Sequence, residues 1–145
     1  EIVFNYSMAT INMQTMRYIN LLDKASNVKT RKCFVYNNTI FFAVPRNLVS
    51  RAIGPSALNV KKIQENLGRK VRIIAEPEGI WDANRFVQDL VNPNKFKSLE
   101  ISDNCIVLTA GNNQNKAILI GRNKRRFIEL QKIVHDIFNM DLKIV

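Results

Sequence analysis

Apolar positions along the chain recur at helical spacing, then alternate, then return to helical spacing, and the cycle runs twice. In the first pass Met13, Met16, Ile19 and Leu22, with Tyr18 beside them, predict a helix that Thr10 or Asn12 can cap. Two strand-like runs follow, 31–36 and 39–44, joined by Asn37-Asn38, a pair that accepts positive φ and suits a tight hairpin. After Pro45, residues 46–53 read as one or two helical turns closed by Gly54. Val60, Ile63 and Leu67 share one face of a helix over 58–67, with Lys61, Lys62 and Glu65 pointing away and Gly68 as its stop. Residues 69–75 then read as a strand, with Val71, Ile73 and Ala75 on one face and Arg72 and Ile74 on the other.

Residues 81–145 repeat that order. A helix over 81–91 carries Phe86, Val87 and Leu90 and ends before Pro93, and strands over 97–102 and 105–110 meet at Asp103-Asn104. A short helix over 116–120 is closed by Gly121. A longer one over 125–138 turns Phe127, Leu130, Val134 and Ile137 inward, and a strand over 141–145 closes the chain. Gly54 and Gly121 stand 67 residues apart, with matching features on both sides, so internal duplication explains the pattern better than chance likeness. The expected layout is an N-terminal extension at 1–9, domains at 10–76 and 81–145, and a linker at 77–80. The expected fold is α+β, each domain running helix-strand-strand-helix-helix-strand with its helices packed on a three-stranded sheet.

Composition narrows the function. With 46% hydrophobic residues the chain can fill a core, and 22 Lys and Arg against 12 Asp and Glu leave a formal charge of +10. Such a surface attracts polyanions, nucleic acid first and an anionic membrane second, beside the plainer reading of a merely soluble basic protein. Cys33 and Cys105 lie far apart in apolar runs and His135 is the sole histidine, which argues against a zinc site or a disulfide scaffold. The acidic residues Asp82, Asp89, Asp103, Glu129 and Asp136 are scattered, and no phosphate-binding lysine loop or nucleophile elbow occurs. No enzyme, metal, cofactor or small-molecule substrate is expected. The apolar runs 40–44 and 117–120 are too short to span a bilayer, and residues 1–9 lack the features of a signal peptide, so a cytoplasmic location is expected. Trp81 and Phe86 read as core, and His135 as structural or exposed.

At the centre of each half an Ile-Gly pair joins two helices. The segment from Arg51 through Ile53-Gly54-Pro55-Ser56-Ala57 to Ile63 resembles the KH signature, Ile-Gly-x-x-Gly between two helices, and Ile120-Gly121-Arg122-Asn123-Lys124-Arg125-Arg126-Phe127 resembles a second copy. A helix and strand before each core, rather than after it, resemble the type II arrangement. Met16-Arg17-Tyr18-Ile19, Asn59-Val60-Lys61-Lys62-Ile63 and Leu67-Gly68-Arg69-Lys70-Val71 are similar to the first KH domain of archaeal NusA-like transcription factors. The resemblance implies single-stranded RNA held on tandem KH domains, a role in transcription termination or elongation, and RNA polymerase or ribosomal components as protein partners. A KH-fold ribosome-associated factor and a protein-interaction scaffold are the alternatives.

By that resemblance Gly54 and Gly121 admit the nucleic-acid backbone, with Pro55, Ser56, Ala57, Asn59 and Asn123 beside them. Lys61, Lys62, Arg122, Lys124, Arg125 and Arg126 neutralise phosphates, and Arg51, Lys116, Arg69 and Arg72 extend the basic surface. Ile53, Val60 and Ile120 line grooves for bases or stay in the core. The fourth loop position, glycine in the family, is Ala57 in one copy and Lys124 in the other. The methyl of Ala57 is harmless if φ there is negative, while Lys124 obstructs close approach. Geometry thus favours the first loop and charge the second.

Overall fold

The structure, a computed structural model, describes residues 13–145 and divides between Glu76 and Pro77 into two compact units. The extension at 1–9 and the cap expected at Thr10 or Asn12 lie outside the described residues. Among these residues there are two three-stranded sheets and six α-helices. The architecture is mixed α+β, as the alternating periods imply. Residues 77–80 fall in the second unit.

The first unit runs α1 (Met13–Ser26), β1 (Lys32–Tyr36), β2 (Thr39–Val44), α2 (Val49–Ile53), α3 (Leu58–Leu67) and β3 (Lys70–Ala75). Tyr18, Leu22 and Ser26, four apart, form the buried stripe of α1. Met13 and Met16 fit the same helical spacing, yet they are 87% and 53% exposed and lie off that stripe. The hairpin turn has φ of 50° at Asn37 and 59° at Asn38, the left-handed pair that matches strand twist. β2 is the central strand, antiparallel to β1 and parallel to β3, and all six of its residues are buried. Burial on both faces explains why Ile40 to Val44 reads as an unbroken apolar run rather than an alternation.

Ile40, Phe42 and Val44 join Tyr18, Leu22, Ala52, Ile63 and Val71 in one core, where each large side chain contributes about 1.5–3 kcal/mol of burial. On β3 Val71 and Ile73 pack against this core, as their shared face in the sequence implies. Ile74 is buried while Ile73 is partly buried against the core, because both faces of this strand meet apolar neighbours. Cys33 packs against the same core, and burial pushes its thiol up to about 12.

The second unit runs α4 (Ala83–Val91), β4 (Ser98–Ser102), β5 (Cys105–Thr109), α5 (Asn113–Ile120), α6 (Arg125–Phe138) and β6 (Asp141–Ile144). β5 again lies centrally, antiparallel to β4 and parallel to β6. Ala83, Phe86, Val87, Leu90 and Val91 bury one full face of α4, and Phe86 meets Phe138 edge-on, ring centres 5.8 Å apart at 84°.

Two sequence readings change here. Trp81 sits in a 3₁₀ turn ahead of α4 and is 72% exposed, so it is not a core residue. α5 begins at Asn113, three residues earlier than the apolar pattern suggests, because the Asn112 side chain accepts the Asn115 N–H at 2.7 Å and caps the helix. Asp82 is buried and accepts from the Arg85 guanidinium at 2.6 Å and from the Glu78 N–H at 3.2 Å, which ties the 77–80 segment to α4. The two acidic partners, Asp82 and Asp89, raise the affinity of Arg85 for its proton despite the opposing cost of burial.

Candidate nucleic-acid interface

α2 ends at Gly54, whose N–H donates to the Ser50 carbonyl at 2.9 Å, and α5 ends at Gly121, whose N–H donates to the Ala117 carbonyl at 2.9 Å. Gly54 has φ 81°, ψ 167°, and Gly121 has φ 77°, ψ 171°, a backbone region open almost only to glycine. Two left-handed residues follow in each loop: Ser56 (53°, 33°) and Ala57 (59°, 30°), then Asn123 (56°, 29°) and Lys124 (59°, 21°). The chain then enters α3 or α6.

The condition placed on Ala57 therefore fails. Its φ is positive, because the turn needs a left-handed residue there whatever the side chain, and Lys124 adopts the same conformation. Each pays roughly 1–2 kcal/mol relative to a right-handed residue. Ala57→Gly and Lys124→Gly are each expected to stabilise their unit by about 0.5–1 kcal/mol. That is the left-handed strain relieved, less the added freedom of glycine in the unfolded chain. Denaturant titration checks this, and a destabilised glycine variant would contradict it.

A second device repeats. Asn59 Nδ2 donates to the Arg51 carbonyl at 3.1 Å, and an Arg126 guanidinium nitrogen donates to the Ile118 carbonyl at 3.2 Å. In each half a side chain five residues after the glycine reaches back to the carbonyl three residues before it. The crossing passes over the glycine itself. A Cβ on Gly54 would lie 2.7 Å from Asn59 Nδ2, and one on Gly121 would lie 3.0 Å from Arg126 Cβ and Cγ. The sequence reading gave Asn59 and Arg126 to the nucleic acid and missed that they strap the loop. A polar donor at the fifth position after both glycines was the available signal.

Neither α3 nor α6 has a side-chain cap or an acidic residue in its first turn, whereas α5 is capped by Asn112. The first N–H of each helix is taken up by the preceding turn, Leu58 donating to the Pro55 carbonyl and Arg125 to the Arg122 carbonyl, while the positive end of each helix dipole still lies behind its loop and suits an anion. Around them Arg51, Pro55, Ser56, Lys61 and Lys62 are exposed in the first unit, as are Lys116, Arg122, Asn123, Lys124 and Arg125 in the second. Ile53, Gly54, Ala57, Asn59, Val60, Ile120, Gly121 and Arg126 are half-buried. Lys116 lies on α5 more than a turn before Gly121. Two of the cations expected to extend the basic surface are half-buried and also contact their own unit. Arg69 donates to the Tyr18 hydroxyl at 3.3 Å, and the Arg72 guanidinium lies 5.3 Å from the Phe41 ring centre. Among the described residues no three His, Cys, Asp or Glu side chains are grouped to hold a metal ion, and no helix is long and apolar enough to cross a membrane.

No protein-family model matches the chain. In sequence it is 22% identical over 134 residues to the "Probable transcription termination protein NusA" of Halococcus morrhuae, spanning 91% of this chain and 94% of that one. In structure it is similar to the crystal structure of APE1850, with a TM-score of 0.66 and 21% identity over 93% of this chain and all of the other. The chain is thus distantly similar in sequence to an archaeal NusA, and its two α+β units are consistent with KH-like domains.

Proposed function

We propose that the chain is a non-enzymatic RNA-binding transcription factor that acts in termination or elongation in the cytoplasm. On this reading its two units are type II KH domains, at 10–76 and 81–145, that hold single-stranded RNA. RNA polymerase or ribosomal components are then its protein partners. The observation that carries the reading is the glycine turn, built twice, that delivers a strained loop into a helix start with no side-chain cap. A KH module clamps about four nucleotides of single strand at such a turn. The helix and first strand preceding each core, and the parallel pairing of β2 with β3 and of β5 with β6, support the type II assignment. The relationship to an archaeal NusA supports the role in transcription. The scaffold alternative drew on the missing second glycines, and its motive weakens because Ala57 and Lys124 keep the left-handed backbone.

Titration of a labelled single-stranded RNA, followed by fluorescence anisotropy at several salt concentrations, tests the reading. Binding should weaken with salt by about 0.7 in the log–log slope for each phosphate contacted, and a duplex of the same length should bind less well. Absence of binding at low salt, or affinity no better than that of a polycation of equal charge, would remove the RNA-binding function.

A further inference from the structure

The two glycine turns share one backbone and carry two chemistries. Corresponding dihedral angles differ by less than about 10°, and the straps measure 3.1 and 3.2 Å. Backbone shape therefore does not separate the loops as sites for an anion, and of the geometric preference for the first loop only the smaller side chain of Ala57 remains.

Side chains do separate them. Pro55-Ser56-Ala57-Leu58-Asn59 carries no charge, whereas the matching Arg122-Asn123-Lys124-Arg125-Arg126 carries four cations. The strap follows the same division. Asn59 closes its loop with a neutral amide, while Arg126 gives one N–H to Ile118 and keeps a full positive charge beside the turn. In the first unit the nearest cations are Arg51, three residues before Gly54, and Lys61 and Lys62 further along α3, with Ile118, Ile128 and Glu129 at the matching positions. A helical turn of about 5.4 Å is enough to weaken a charge acting at the loop in solvent.

We propose that the 121–126 loop holds the phosphates of the bound strand and the 54–59 loop holds none. This rests on the RNA-binding reading above and assigns its electrostatic share to one unit.

The test uses the full chain and a labelled single-stranded oligouridylate, with circular dichroism to show that each variant is folded. The variant Arg122→Gln/Lys124→Gln/Arg125→Gln changes only exposed side chains and leaves both straps in place. It should lose about 2 in the log–log salt slope and bind roughly a hundredfold more weakly at about 0.1 M salt. Lys29→Gln/Arg31→Gln/Lys95→Gln removes equal charge from exposed positions elsewhere and should keep most of the wild-type slope. Adding Pro55→Arg/Ala57→Lys/Leu58→Arg to the neutralised variant should restore most of the slope, because the two backbones match.

An unchanged slope in the neutralised variant overturns the proposal and leaves RNA binding standing. Equal losses in the control would place the effect in the overall charge, which also overturns it. Failed restoration by the transplanted cations would overturn the claim that charge alone separates the loops. If the wild type itself binds no RNA at low salt, the RNA-binding reading fails and takes this proposal with it.

Discussion

Phe86→Ala is expected to destabilise the second unit by about 3–5 kcal/mol. The ring is fully buried at the centre of the α4 face, with Val87 and Leu90 beside it and the Phe138 edge against it. Removing it leaves a cavity that these helices can only partly close, and the aromatic pair loses a further fraction of a kcal/mol. A unit of about 70 residues has roughly 4–10 kcal/mol of total stability, so the loss takes much of what there is. Calorimetry of wild type, Phe86→Ala and Phe86→Leu would show the effect, with the leucine variant recovering most of it. A melting temperature for the alanine variant within a degree or two of wild type would mean that Phe86 is not a packing centre.

The second large effect is expected at the two loop glycines. Gly54→Ala and Gly121→Ala should each cost about 2–4 kcal/mol. Part is the positive φ at these positions, about 1–2 kcal/mol, and part is the collision of the new methyl with the strap. Gly68→Ala separates the two parts. Gly68 also has positive φ, at 64°, but a Cβ there meets nothing within 4 Å, so only the smaller backbone cost of about 1 kcal/mol applies. In the pair Gly54→Ala/Asn59→Ala the collision is gone, and the double variant should be more stable than the sum of the single losses predicts. Strict additivity of those two losses would show that Asn59 does not cross over Gly54.

What the sequence made legible is what rests on short-range physics. Gly54, Gly68 and Gly121 marked helix ends because each takes a φ that other residues resist. Asn37-Asn38 marked a hairpin for the same reason, and the spacing of Phe86, Val87 and Leu90 marked the buried side of α4. The candidate loops were found by their glycines and their neighbouring charge. Three features were hidden for identifiable reasons. Ala57 and Lys124 have no chemical preference for left-handed φ, so nothing in their identity announced it. Met13 and Met16 share the helical period with Tyr18 and Leu22, and a period gives no rank to neighbouring faces. The straps run from a side chain to a carbonyl eight residues earlier, across a break between two helices, where no periodic pattern applies.

The recurrence of the strap bears on how such loops change over generations. At each of the five positions after the glycine the two copies differ in residue, from Pro55 and Arg122 to Asn59 and Arg126, yet the torsions and the cross-loop hydrogen bond are retained. The turn thus keeps its conformation with different side chains at all five positions, while a donor of sufficient reach stands at the fifth in both. A query that demands a second glycine would pass over both loops. A template of three torsion pairs, at the glycine and at the second and third residues after it, with one side-chain-to-carbonyl bond describes both.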